Sequence, residues 1–250
     1  MIDFHCHLTD ERIFNQAERM IQKAREGGVL RIGLGGTDPA DWARQSELKK
    51  RYPDLIYTHY GLHPWWVNAD DQSVLEVLRQ HISECDGIGE TGLDFGRKQR
   101  PETFPFQEQS FRDHLKIALH FQKPVVLHVV AAHERAQRII QEEFSRVDVK
   151  SHVPLILHRY SGGLEYLSAY LELGCFFSWS GEIAHPHGGK KSKEAFKIVP
   201  LERIFLETDA PDQGQEPAQI NEFYRAAAEI RGIPIENLVE RIAENFRLIY

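Results

Sequence analysis

The chain opens MIDFHCHLTD, with two histidines two residues apart at the end of an apolar run. In an extended segment His5 and His7 point to one face and Phe4 and Cys6 to the other, so both imidazoles can meet one cation. Residues of the same chemical types recur downstream, each inside or just after a short apolar stretch. His63 stands in IYTHYGLHP, Glu90 in GIGETGLDF, His128 in PVVLHVV, His158 in PLILHRYS and Asp209 in RIFLETDA. Singly, each reads equally well as a hydrogen-bonded core histidine or a capping acid. Jointly they would leave many ionisable groups in apolar strands, which is costly unless they are paired or hold a cation. His5, His7, His128 and His158 with Glu90 and Asp209 exceed what one tetrahedral zinc takes and suit two divalent ions sharing a carboxylate, with Glu90 as the bridge. Ions about 3.5 to 4 Å apart in such a site make a water-derived nucleophile available at neutral pH. Zinc, manganese and magnesium all stay open as the metal; imidazole-rich ligation favours transition ions but does not choose among them.

These residues need a frame that brings them together. The apolar runs fall at 2–7, 30–36, 56–64, 87–95, 124–130, 154–161, 175–181 and 203–210, with helix-patterned segments between them. One of these is AERMIQKAREGG, where Gly27 and Gly28 read as a stop; another is SVLEVLRQHISE. Near-continuous apolar strands joined by helices predict a parallel sheet buried on both faces, and eight of them in 250 residues is the count and size of a (β/α)8 TIM barrel. A doubly wound sheet is the alternative. Two further helices are expected at 216–231 and 235–248, separated by Gly232 and Pro234, and no linker or repeat divides the chain, so one α/β domain over 1–250 is expected. In a barrel the C-terminal ends of the strands carry the chemistry, and the candidate ligands cluster there.

Composition narrows the partners. A formal net charge of -7 argues against a protein that holds duplex nucleic acid by bulk electrostatics, although a local basic patch can still grip a polyanion. Cys6, Cys85 and Cys175 form no disulfide framework and no CxxC zinc motif, which suits a reducing, cytoplasmic setting. No apolar stretch is long enough to span a bilayer, and nothing marks an obligate protein partner.

In order and spacing, DFHCHL, GLHP, GETGLDF, PVVLH, LILHRYSGG, LETDAP and the AEN near the C-terminus resemble the TatD-type metal-dependent hydrolases and deoxyribonucleases, a branch of the amidohydrolase-like barrels. The resemblance covers nearly the whole chain. It implies a divalent-metal phosphodiesterase acting on DNA, a deoxyribonuclease or 3'-5' exonuclease. It makes His5, His7, Glu90 and Asp209 the ligands of one ion, and Glu90, His128 and His158 those of the second. His63, in the G-x-H-P position, would contact the scissile phosphate or protonate the leaving oxygen, and Asp209 would orient the nucleophile or take its proton.

Departures from the family pattern bear on substrate. After LETDAP the chain continues DQGQEPAQI, acidic where the resemblance implies a basic loop, and Arg135 is displaced into the helix after His128. Positive charge for a phosphate is expected instead from GRKQR, with Arg97, Lys98 and Arg100, and from Arg159 beside His158; Lys190, Lys191 and Lys193 read more simply as a solvated helix face. Trp65 and Trp66 follow His63, and one of the two is expected to line the pocket and stack on an unpaired base. The substrate expected is therefore DNA or another phosphodiester. The alternatives are a small-molecule ester, phosphoester or amide hydrolase with the same metal pair, and a non-catalytic nucleic-acid-binding barrel.

Overall fold

The computed structural model describes residues 1–250 apart from 69–71, 98, 146–152, 185–188 and 213–214. Eight parallel strands, β1 (Ile2–Cys6), β2 (Arg31–Leu34), β3 (Ile56–Tyr60), β4 (Gly87–Asp94), β5 (Val125–Val130), β6 (Leu155–Leu157), β7 (Phe176–Trp179) and β8 (Ile204–Leu206), pair in chain order. One helix follows each of the first seven: α1 (Ala17–Glu26), α2 (Pro39–Arg51), α3 (Gln72–His81), α4 (Phe104–Phe121), α5 (His133–Phe144), α6 (Leu164–Glu172) and α7 (Lys190–Ile198). After β8 come α8 (Ile220–Arg231) and α9 (Ile235–Ile249), giving the expected (β/α)8 barrel. Sheet order without a reversal rules out the doubly wound alternative.

Local chemistry sets the element ends. Asp38 caps α2 by accepting from the amides of Ala40 and Asp41, with Pro39 pre-set for the first turn. Gly28 and Gly232 take left-handed backbone (φ +82° and +63°) where α1 and α8 stop, a conformation that glycine adopts without steric cost. Asn245, in the AEN motif, is buried and donates to the carbonyls of Leu201 and Ile204, tying α9 to the start of β8. That motif therefore serves the frame rather than the site.

Two aromatic layers fill the barrel wall and lumen. Phe177 and Trp179 of β7 pack outward on Tyr160, Tyr170 and Phe196. Beneath the site, Phe4 stacks on Phe205 at 4.2 Å and touches Tyr57 and His59. Strict alternation does not hold along β1: its pairing with β2 shifts register between Asp3 and Cys6, so Phe4 joins the inner layer while His5 reaches the site just above it. Cys6 turns its thiol to the Gly33 carbonyl.

The seam between β8 and β1 is closed by the segments that carry the chemistry. Asp209 N–H donates to the His5 carbonyl (2.9 Å), His7 N–H to that of Ala210 (2.6 Å), and Thr208 binds the Asp3 carboxylate through both its amide and its hydroxyl. Among the described residues no helix is long and apolar enough to cross a membrane.

Candidate metal centre

The strands are shorter than the apolar runs that announced them. Glu90 and His128 lie within β4 and β5, and His5 within β1, but His7, His63, His158 and Asp209 stand just beyond the last ladder bonds of β1, β3, β6 and β8. Ala131, Arg159 and Asp209 are non-glycine residues with left-handed backbone (φ 51°, 44° and 56°), all in strand-to-loop turns at this rim. Such conformations are strained for a side chain and persist where the surroundings hold them.

The four expected histidine ligands and His63 converge on the carboxylate of Glu90, and Asp209 stands beside His7. Glu90 Oε2 lies 3.1 Å from His5 Nε2 and 3.2 Å from His7 Nε2; Oε1 lies 2.9 Å from His128 Nδ1, 2.9 Å from His158 Nε2 and 3.4 Å from His63 Nε2. His7 Nε2 is also 3.5 Å from Asp209 Oδ1, and His63 Nε2 is 3.3 Å from His128 Nδ1. Five imidazoles exceed the roughly four lone-pair positions of a carboxylate, and an imidazole pair needs a proton or a cation between its nitrogens. Among the described residues, ligand-competent atoms fall into three groups: His5 with Glu90 and His158, His5 with His7 and Asp209, and His63 with Glu90 and His128. Glu90 is shared between two of these groups. His63 stands in the third group, where the turn after β3 folds it against His128.

Electrostatics point the same way. Burial favours a neutral Glu90, yet His158 and His63, with the bonds from His128 and His158, hold its carboxyl well below the usual range. Burial opposes charge on His7, but Asp209 and Glu90 raise its pKa well above the ordinary imidazole value. His158 is raised well above it, and His128 is raised too, in each case against burial and by their carboxylate neighbours. Protons on these nitrogens and divalent cations compete for the same lone pairs, so metal binding here releases protons and weakens as pH falls.

The next layer of contacts fixes the imidazoles. His158 Nδ1 meets Glu207 Oε1 at 3.1 Å, and the other Glu207 oxygen accepts from Ser178. His128 Nε2 lies 3.3 Å from Asp94 Oδ2, and His7 Nδ1 3.2 Å from the Gly35 carbonyl. A Cβ on Gly35 would stand 2.2 Å from His5 Cε1, so glycine is required for the imidazole to lie there. Arg159 reaches Asp209 Oδ2 at 2.9 Å. Sequence reasoning missed Glu207, Asp94 and Gly35. The period of two was the available signal: Asp94 lies four residues after Glu90 on β4, and Glu207 two before Asp209.

Above the ligands opens a cavity of about 1000 Å³ bordered by His7, His63, Glu90, His128, His158 and Asp209. Trp65 and Trp66 both border it, where one was expected; both are more than half exposed, and Trp65 Nε1 is tied to Asp94. Arg159, Lys190 and Lys191 line it, as does Arg12, which the sequence did not single out. Arg97 does not line it. The turn after β4 closes on itself, with Gly96 N–H on Asp94 and Gln99 N–H on the Gly96 carbonyl, leaving Arg97 exposed, while Arg100 faces Glu102; Lys98 lies outside the described residues. Glu182, Asp10 and Asp212 also stand in the wall, and Arg12 is forked on Asp10.

A (β/α)8 barrel with a histidine–carboxylate cluster at the C-terminal ends of its strands defines a metal-dependent hydrolase. The chain belongs to the TatD related DNase family, whose model matches residues 2–250. Among its relatives, the 3'-5' ssDNA/RNA exonuclease TatD of Pantoea ananatis is 27% identical over 264 residues, covering 100% of this chain and 99% of that protein. The metal-dependent hydrolase YjjV of Escherichia coli K12 is 29% identical, covering 98% of this chain and 95% of that one. The crystal structure of YjjV superposes with a TM-score of 0.89 at 26% identity, over 100% of this chain and 97% of that chain. A TatD family hydrolase from Entamoeba histolytica shares the fold, with a TM-score of 0.83 at 19% identity over 100% and 97% of the two chains.

Proposed function

We propose that this protein is an exonuclease of single-stranded DNA or RNA that uses two divalent ions, one held by His5, His7, Glu90 and Asp209 and the other by Glu90, His128 and His158. The observation that carries the reading is the convergence of His5, His7, His128 and His158 on the two oxygens of Glu90, with Asp209 beside His7, at the floor of an open cavity. Imidazole-rich ligation favours zinc or manganese over magnesium, which prefers oxygen. The bound ions supply Lewis acidity toward the phosphoryl oxygens and an activated water.

The protein's own groups do the rest. Asp209, held between His7 and Arg159, accepts the proton of the attacking water. His63 takes the Trp65 amide on Nδ1 (3.1 Å), which leaves its proton on Nε2, facing the cluster. That Nε2–H is the donor assigned to the leaving oxygen. Arg159 neutralises charge on the phosphate, and the exposed indoles of Trp65 and Trp66 offer stacking faces for an unpaired base.

Acids in the outer wall, Asp10, Glu182 and Asp212, favour a second reading, a hydrolase of a small ester, phosphoester or amide. The test is metal analysis followed by turnover of a 3'-labelled single-stranded oligonucleotide beside a generic phosphodiester, amides and lactones. About two divalent ions per chain and stepwise loss from the 3' end are expected. A ceiling of zero metal overturns the metalloenzyme reading; turnover of an amide or lactone with no oligonucleotide cleavage transfers the site to the second.

A further inference from the structure

Beside the main cavity lies another of about 570 Å³. The two share Ser161 and Lys191, so a chain in one continues into the other. Arg135 and Arg138 of α5 and Lys191 of α7 bring three cations to its wall, and Tyr166 stacks on His133 at 4.9 Å along its side. The displaced Arg135 of the sequence is thus a residue of this second cavity. Glu108 fixes its guanidinium with a two-pronged contact. Arg138 is exposed and has no ion pair among the described residues. His133, only 7% exposed, uses Nδ1 on the Tyr170 hydroxyl (3.3 Å), and its Nε2 has no hydrogen-bond partner among the described residues.

The helix ends at this cavity favour an anion. The N-cap residues of α5 and α6 provide no side-chain cap, and the first-turn amides of α5 are open to an acceptor. At α6 a carboxylate already takes that place: Glu165 folds back onto its own amide and lies 3.6 Å from Lys191.

We propose that this cavity is a second subsite for the nucleic-acid chain, holding a phosphodiester away from the scissile one through Arg138, Lys191 and the amide ends of α5 and α6, with Tyr166 and His133 flanking its sugar or base. The inference rests on the nuclease reading above. It explains how a site without the basic loop expected after Asp209 still grips a polyanion.

The test compares wild type, Arg138→Gln and Glu165→Gln on a single-stranded series from a dinucleotide to a hexanucleotide. Both residues are exposed and outside the catalytic cluster, so the fold is expected to survive. In wild type, kcat/KM rises with length until the second subsite is filled. Arg138→Gln lowers kcat/KM for the hexanucleotide about ten- to a hundredfold, the worth of a charged hydrogen bond. It also lowers the slope of its log–log salt dependence by about 0.7, one phosphate contact on a single strand. Dinucleotide turnover stays unchanged. Glu165→Gln raises kcat/KM for the hexanucleotide alone, because a competing carboxylate charge is gone. Equal effects at every length, or none at any, overturn the subsite. Length-independent wild-type rates with Arg138-dependent effects of inorganic phosphate on dinucleotide turnover make the occupant a free ion and overturn it too. Cleavage of no oligonucleotide, the dinucleotide included, overturns the nuclease reading itself and is told apart by that.

Discussion

Glu207→Gln probes the site without touching a proposed ligand. Glu207 is fully buried, holds His158 Nδ1 at 3.1 Å and accepts from Ser178. A glutamine has the same shape, and the Ser178 hydroxyl can reverse its role to accept from the new amide. The amide oxygen then still takes His158 Nδ1–H, so the ring keeps its orientation and tautomer. Only the negative charge is lost, and with it part of the basicity of Nε2 toward a cation. Partners of this kind are worth about 10- to 100-fold in metal affinity, or roughly 1.4 to 2.8 kcal/mol. Competition with a fluorescent chelator reads the affinity, and turnover at saturating metal reads whatever persists once the ion is restored. The expected pattern is weaker binding of one ion, the other unchanged, and partial recovery of kcat in excess metal. Wild-type affinity for both ions in the Gln variant would refute the claim that Glu207 sets His158 for a metal. Glu207→Ala is a poorer probe, since it strands the His158 N–H and the Ser178 hydroxyl in a buried space and destabilises the fold as well.

Four further outcomes are expected. Glu90→Gln removes the shared charge and lowers kcat by several kcal/mol of barrier, on the order of a thousandfold, with circular dichroism unchanged; near wild-type turnover removes Glu90 from the mechanism. Gly35→Ala drives a methyl group to 2.2 Å from His5 Cε1 and lowers metal content, which full loading in metal analysis would disprove. Cys6→Ala leaves metal content intact, because the thiol serves only the Gly33 carbonyl; a loss of metal would place it in the site. His114 is buried, donates through Nδ1 to the Ser110 carbonyl and accepts the Leu62 amide on Nε2, and burial pushes its pKa down to about 4 against the bond to Ser110. Above pH 6.5 neither state holds its proton; from there down to about pH 4 the unfolded chain takes one and the folded chain does not, so stability falls by up to roughly 1.4 kcal/mol per pH unit. Urea midpoints across that window should fall less steeply in His114→Gln, and identical slopes would count against the assignment.

How much of this was legible in the sequence depended on the range over which each cause acts. Eight apolar runs and their helices are local patterns, and they placed every strand of the barrel. Their ends were overextended because apolar chain continues past the ladder: β6 stops at Leu157 and β8 at Leu206, while His158 and Asp209 stand in the turns beyond. The residues of the candidate site stood out because buried ionisable groups in apolar runs are costly unless they are paired or hold a cation. Glu207 was hidden for the opposite reason: its partner is 49 residues away, and an acid beside Asp209 reads as more of the same motif. The phosphate contacts were least legible. GRKQR and KKSK look alike as strings, yet a tight turn leaves Arg97 outside the cavity and a helix start brings Lys190 and Lys191 into it.

The seam of the barrel explains why the metal residues and the fold were read together. The Asp209 amide bonds the His5 carbonyl and the His7 amide the Ala210 carbonyl across the β8–β1 seam, so the chain segments that close the barrel are the ones that present the candidate ligands. Thr208, between Glu207 and Asp209, spends its amide and hydroxyl on Asp3 and locks the same seam from the other face. Opening it separates His5 and His7 from Asp209; closing it sets His7 3.5 Å from Asp209 and His5 in the same group with no further search. The cost of ordering these side chains is therefore met by barrel closure before any cation arrives. The left-handed backbone at Asp209 is the local expression of that arrangement: a turn strained for an aspartate is kept because backbone bonds on both sides fix it, and its carboxylate faces His7 and Arg159 as a result.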